Sequence, residues 1–369
     1  MKIEMVELRR IAMPLVRPFR TSFGTQTARD ILLVRVVTDV GEGWGECVAL
    51  ADPVYSSEYV NGAHQVLREY LVPRVLAEPL ASSRRVAPRL SSVLGHRMAK
   101  AALETALLDA ELRAASMSLA SYLGGTRDQV DCGVSVGIAS SVPALLDEVR
   151  GYLDEGYRRI KLKVQPGWDL EPLAAVRAEF GEDLLLQVDA NTAYTAADMR
   201  HLARLDEFDL LLIEQPFDEE DLESHVVLGR TISTPVCLDE SVVSAASAAD
   251  AVRRGACTVV NIKAGRVGGY LEGARVHDVC AALGVPVWCG GMLETGLGRA
   301  ANVALASLPG FTLPGDTSAS GRYYREDITE PFVMQNGRLA VPQGPGLGVQ
   351  PRPDVLESVT TRREELTAE

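Results

Sequence analysis

The chain lacks what would tie it to a membrane or a nucleic acid. No window of its 369 residues approaches the ~18 consecutive apolar residues of a membrane helix. Basic residues are in deficit, 37 Lys and Arg against 50 Asp and Glu, so the net charge is −13. No basic stripe exists to release counterions from phosphates, which argues against nucleic-acid and anionic-membrane partners. The six cysteines (Cys47, Cys132, Cys237, Cys257, Cys280, Cys289) form no C-x-x-C pair. That spacing fits neither a zinc finger nor a small disulfide scaffold, and buried reduced thiols are expected. The first ten residues carry charges where a signal peptide needs an apolar run, so a cytoplasmic location is expected. Low-complexity tracts are absent too. What remains, 47% hydrophobic and 24% charged residues, is the composition of a soluble globular chain long enough for two domains.

Residues 1–60 read as strands, with Ile3–Ala12 alternating loosely and Ile31–Thr38 β-branched and apolar. Between them Val16–Thr25 reads as a loop that holds Phe19 and Phe23 with a Pro and a Gly. It suits either a local core or a mobile flap over a pocket. The stretch around Tyr55 has similar character. From residue 56 to about 125 the pattern turns helical, and the run from Met98 is expected to end toward Gly124 and Gly125. His96, Glu104 and Asp109 in this region read as solvated or capping residues. The first unit is therefore an α+β domain, residues 1–125.

From Cys132 onward, short apolar runs alternate with helix-period segments. The expected strands are 133–137, 159–164, 184–189, 210–214, 236–239, 258–263, 285–289 and 311–313; helices are expected at 142–153, 171–180 and 245–254. Near-continuous apolar strands alternating with helices mean a parallel sheet covered by helices. Eight of them at a period near 25 residues fit a closed (β/α) barrel better than an open doubly wound sheet. No G-x-G-x-x-G follows the first strand, and Gly265–Gly269 has the wrong spacing for a phosphate loop. Glycines 290, 291, 296 and 298 suit a close backbone approach to a ligand.

Charged residues end these runs at an even pace. From Lys163 to Asp189, Glu214, Asp239 and Lys263 the gaps are 26, 25, 25 and 24 residues. Lys161 lies two residues before Lys163 and so shares its side of the strand, while Ile160, Leu162 and Val164 face the helices. Charges pointing into a packed barrel core would carry a large desolvation penalty, so they belong at the C-terminal mouth, where barrel active sites lie.

Three carboxylates with no His or Cys beside them form a hard all-oxygen site. It suits Mg²⁺, or Mn²⁺ or another divalent cation, better than zinc. Lys163 and Lys263, on the second and sixth strands, would flank a bound substrate from opposite sides. A lysine near a cation and partly desolvated has a lowered pKa and can act as a base. The metal would stabilise the ene-diolate formed when a proton α to a carboxylate leaves. Facing bases allow racemisation, and one base suffices for a syn elimination.

The motifs Lys161-x-Lys163, Asp189-x-Asn191, Glu214-Gln-Pro, Asp239-Glu-Ser and Asn261-x-Lys263 resemble the enolase superfamily, muconate-lactonizing subgroup. That superfamily is itself a standard example of a Lys base working with a divalent metal on an ene-diolate. Pro18–Gly24, Gly290–Asn302 and Pro314–Ser318 resemble its o-succinylbenzoate synthase and N-acylamino acid (N-succinylamino acid) racemase branch. The resemblance implies a (β/α)₇β barrel over residues 126–317. It also implies an N-terminal capping domain to which residues 318–369 return. Asp189, Glu214 and Asp239 would be metal ligands, Lys163 and Lys263 the acid/base pair, and Lys161 a holder of the substrate carboxylate. Phe19, Phe23 and Tyr55 would close over the substrate, with Ser135, Asn191, Gly291 and Met292 lining the pocket. Ala264 follows the catalytic lysine where Pro is common, with no expected effect on chemistry. A small-molecule carboxylate substrate and a homo-oligomer, such as an octamer, are implied as well.

Three alternatives compete. A dipeptide epimerase should carry Asp-x-Asp on the last strand, whereas Asp316-Thr317-Ser318 lacks the second Asp. Muconate cycloisomerase shares the lysines and triad. A catalytically inactive carboxylate-binding barrel should have lost one of the five charges, and none is missing.

Overall fold

The structure, a computed structural model, describes residues 1–368. Strands β1 (Ile3–Thr21), β2 (Gly24–Thr38) and β3 (Gly41–Cys47) form an antiparallel sheet whose outer edge is Thr360–Thr367, the last strand of the chain. Period-2 geometry sends alternate residues of β2 to different cores. Leu32, Val34 and Val36 join a cluster with the cap helices, while Ile31 and Leu33 join the one that extends into the barrel. Burial on both faces is why this run reads as continuous apolar sequence.

The expected loop at 16–25 is instead the tip of this hairpin. Both strands run on to Thr21 and from Gly24, with Phe19 opposite Gln26. Pro18 lies within a register shift between Pro14 and Phe19, where the missing ladder hydrogen bond is tolerated.

Helix α1 (Arg97–Ala114) has 13 buried residues and packs on β3 through small side chains. It stops earlier than expected. Ser116 takes a left-handed φ of 52°, and a new one-turn helix α2 (Leu119–Leu123) begins at Ser118, whose hydroxyl accepts from Ser121 N at 3.2 Å. Gly124 then ends α2 at φ 92°. Glu104 and Asp109 are buried rather than solvated. Asp109 accepts Trp44 N at 2.9 Å and Leu347 N at 2.7 Å, which ties α1 to the sheet and to the C-terminal segment. His96 caps α1 only through its left-handed backbone.

Seven parallel strands follow in sequential order: β4 (Gly133–Val136), β5 (Arg159–Lys163), β6 (Leu185–Asp189), β7 (Ile213–Glu214), β8 (Val236–Leu238), β9 (Val259–Ile262) and β10 (Val287–Cys289). The helices expected between them span Val142–Asp154, Leu170–Phe180 and Ala245–Arg254. The expected eighth strand is not regular, because Pro314 has no N–H to give a ladder. Its backbone still closes the barrel: Gly315 O accepts from Gly133 N at 2.7 Å, and Asp316 N donates to Cys289 O at 2.8 Å. Leu212, Cys237, Val259 and Trp288 pack together inside as a separate core. All six cysteines are free and buried. Among the described residues, no helix is long and apolar enough to cross a membrane.

Candidate active site

Strand register sets the site. Lys163 lies opposite Asp189, and Asp189 opposite Glu214, so three charges stand side by side across β5, β6 and β7. One layer deeper, Ser135 lies opposite Lys161, and Lys161 opposite Gln187. Asp239 directly follows β8 and Lys263 follows β9. All are buried, with Glu214 and Asp239 at 0% exposure. Ions removed this far from water need partners.

Those partners are one another. Lys163 Nζ donates to Asp189 Oδ2 at 2.5 Å and to Asn191 Oδ1 at 2.6 Å. Asn191 reaches it from a left-handed backbone, φ 44°, just past the end of β6. Lys161 Nζ donates to Glu214 Oε2 at 3.1 Å and to Asp316 Oδ2 at 2.7 Å, and sits 4.6 Å from the Trp288 ring centre. Burial alone would lower Lys161, but Asp316, Glu214 and Asp189 outweigh it and raise its pKa above the ordinary lysine value. Burial would raise Asp189, yet Lys163 and Lys161 hold it well below the usual carboxylate range. Glu214 goes the other way, raised by burial and then by the charge of Asp189.

On the facing strand, Lys263 Nζ donates to Asp239 Oδ2 at 2.7 Å and to Tyr55 Oη at 3.1 Å. The lowered pKa expected of a base lysine belongs to a site that holds the cation; among the protein groups alone the balance at Lys263 runs the other way. Burial lowers it, but Tyr55, Glu240, Glu214 and Asp189 together raise it. Tyr55 was expected over the substrate side chain. It also touches the charged groups, its hydroxyl donating to Asp239 Oδ1 at 3.2 Å. Gly290 shows why a glycine is needed here: a Cβ would lie 2.3 Å from Asn261 Oδ1 and 2.8 Å from Lys263 Cε.

A cavity of about 490 Å³, open to solvent, lies above these groups. Lys161, Lys163, Lys263, Ser135, Asn191, Gly291, Met292, Phe19, Phe23 and Tyr55 all line it. Ser135 Oγ is buried there with no hydrogen-bond partner. Asp189, Glu214 and Asp239 lie beneath, outside the lining.

Two groups at the site were not given a role from sequence. Asp316, held down to about 2 because Lys161 and Arg159 outweigh its burial, bonds Arg159 at 2.9 Å and Lys161. It follows the eighth segment, so the same strand-end rule could have found it. Arg266 forms an ion pair with Asp239 and donates to Val242 O at 2.8 Å. An arginine three residues after Lys263 was its only sequence signal.

Among the described residues, no three Asp, Glu, His or Cys side chains stand converged on a single point. The three lysines and Arg266 instead pair with the three carboxylates. The donor chemistry fits a divalent cation. Three buried carboxylates on successive strands supply hard oxygens.

Comparison with known proteins gives the family. Residues 5–124 match the family model "Mandelate racemase / muconate lactonizing enzyme, N-terminal domain", and residues 144–355 match "Enolase C-terminal domain-like". An N-succinylamino acid racemase from Amycolatopsis sp is 66% identical over 98% of this chain and 99% of its own length. The o-succinylbenzoate synthase of Geobacillus kaustophilus is 47% identical over 94% of this chain and 92% of its own. A crystal structure of an enolase superfamily member from Listeria innocua superposes with a TM-score of 0.95 at 38% identity, covering 100% of this chain and 99% of that one. Matched along nearly its whole length, the chain belongs to the enolase superfamily, in the mandelate racemase and muconate lactonizing family of divalent-metal-dependent enzymes.

Proposed function

We propose that the chain is an N-acylamino acid racemase acting on N-succinylamino acids, with o-succinylbenzoate synthesis as a second reaction of the same site. The observation that carries this reading is that Lys163 and Lys263, from β5 and from the end of β9, line one cavity above three buried carboxylates. The relatives at 66% and 47% identity, named for these two reactions, support it.

Asp189, Glu214 and Asp239 would hold a divalent ion, for which we propose Mg²⁺. When bound, it supplies positive charge that offsets the three carboxylates and stabilises the ene-diolate as the α-proton leaves. The chain's own residues do the rest. Lys161, which lines the cavity, holds the substrate carboxylate, and the unpartnered Ser135 Oγ offers it a further hydrogen bond. One of Lys163 and Lys263, in its neutral form, takes the α-proton as the C–H bond breaks. The other, protonated, delivers a proton to the opposite face, which inverts the centre. Phe19, Phe23 and Tyr55 cover the substrate and exclude water. In the dehydration, one lysine removes the α-proton and, now protonated, returns it to the hydroxyl leaving from the same face, so that water departs and a single acid/base residue is enough.

A second reading as dipeptide epimerase is disfavoured by Asp316. Its charge is taken by Arg159 and Lys161 and is not free for a substrate ammonium.

The test is to incubate the protein with Mg²⁺ and an N-succinyl-L-amino acid in D₂O and follow the α-proton by NMR. We expect exchange together with appearance of the D-enantiomer. No exchange with any N-acylamino acid, combined with turnover of cis,cis-muconate, would overturn the assignment.

A further inference from the structure

Beside the cavity lies a second one of about 770 Å³, also open to solvent, and Phe23, Tyr55 and Asn191 line both. Its character is different. Asp218, Glu219, Glu220 and Glu240 line it, and no lysine, arginine or histidine does. Asp218, Glu219 and Glu220 are exposed, on the loop that follows β7. Glu240 is only 5% exposed. Its Oε1 accepts from Asn191 Nδ2 at 3.0 Å, while Oε2 is buried with no hydrogen-bond partner. Two cations lie close to these acids without lining the space: Lys263 acts on Glu240 and Arg266 on Glu219. Lys263 and Arg266 are both engaged by Asp239. The vestibule therefore presents three exposed carboxylates at its rim and one buried carboxylate with an unused acceptor. The remaining walls include the neutral residues Pro53, Val54 and Ser56.

We propose that this vestibule receives a positively charged substrate side chain, so that N-acyl amino acids bearing a guanidinium or ammonium group are preferred over neutral ones of the same shape. The proposal rests on the reading that an N-acylamino acid occupies the main cavity. Its α-carbon would then lie between the lysines, and Phe23, Tyr55 and Asn191 are the shared wall past which a long side chain reaches the acids. The same carboxylates repel the free carboxylate of a succinyl group, which leaves the vestibule to the side chain.

The test compares N-succinyl-L-arginine with N-succinyl-L-citrulline, which has nearly the same shape but no charge, by α-proton exchange in D₂O with Mg²⁺. We expect kcat/KM to favour arginine by about fivefold or more at low ionic strength, the scale of a favourable exposed charge pair. The preference should shrink in high salt and in a D218N/E220Q double variant, whose exposed positions leave folding intact. N-succinylmethionine serves as the neutral reference substrate. If it exchanges while arginine shows no advantage over citrulline, or an advantage that neither salt nor the double variant reduces, the vestibule proposal alone is overturned. If none of the three substrates exchanges, the racemase reading fails and the proposal falls with it.

Discussion

Glu104 carries a carboxyl into the seam between α1 and the barrel, where it accepts Leu271 N at 3.1 Å. Burial pushes its pKa up to about 7, against which the backbone donors Leu271 and Tyr270 work only in part. A carboxyl raised in the folded state holds its proton there after the unfolded chain has lost it. Folding is therefore favoured below the unfolded value, near 4.5, and that contribution is lost as pH rises through 7. Denaturant titrations of wild type and Glu104→Gln across this window should differ in slope. Wild type should lose up to roughly 3 kcal/mol from this group between the two pH limits, and the variant should lack that loss. Parallel pH profiles would contradict the assignment. At this scale, sequence served the charges that end apolar runs and failed for isolated ones. Glu104 and Asp109 read as solvated because nothing in a helical pattern shows that its polar positions will meet a second domain. Asp316 follows the eighth segment and was open to the same strand-end rule, whereas Arg266 ends no apolar run and its pairing with Asp239 leaves no trace in the pattern.

Among the elements, β3 and α1 approach closely because of two glycines. A Cβ on Gly45 would lie 2.1 Å from Ala102 O, and one on Gly43 would lie 2.2 Å from Ala106 O. Both obstacles are backbone, so neither can rotate away. Gly45→Ala is expected to lower stability by roughly 1–3 kcal/mol or more in a denaturant titration, since sheet and helix must move apart. Unchanged stability would mean that the contact is looser than described. The barrel strands were legible because each is a short apolar run, and five of them end at a charge, Lys163, Asp189, Glu214, Asp239 or Lys263. The hairpin tip at Thr21–Gly24 was not legible, because a proline and a glycine carry the same local signal in a loop as in a bulged strand. The eighth barrel segment was expected as a strand from its apolar residues. Pro314 leaves it only the few hydrogen bonds that close the ring.

For the whole molecule, the barrel supplies the charges and the antiparallel sheet supplies part of the cover. Phe19 and Phe23 come from the β1–β2 hairpin, and Tyr55 from the segment after β3, while the lysines and carboxylates come from strand ends some hundred residues on. The closed barrel was legible because eight βα repeats leave few alternatives. The docking of the chain's last strand on β1 was expected only through the family resemblance. Proton transfer by two opposed lysines is the centre of the proposed mechanism. The most direct test is D₂O exchange with an N-succinylamino acid, run from each enantiomer on wild type, Lys163→Ala and Lys263→Ala. Wild type should interconvert the enantiomers with deuterium incorporation, and racemisation should fall by at least roughly a hundredfold in each variant. Racemisation at the wild-type rate in either variant would contradict the two-base mechanism.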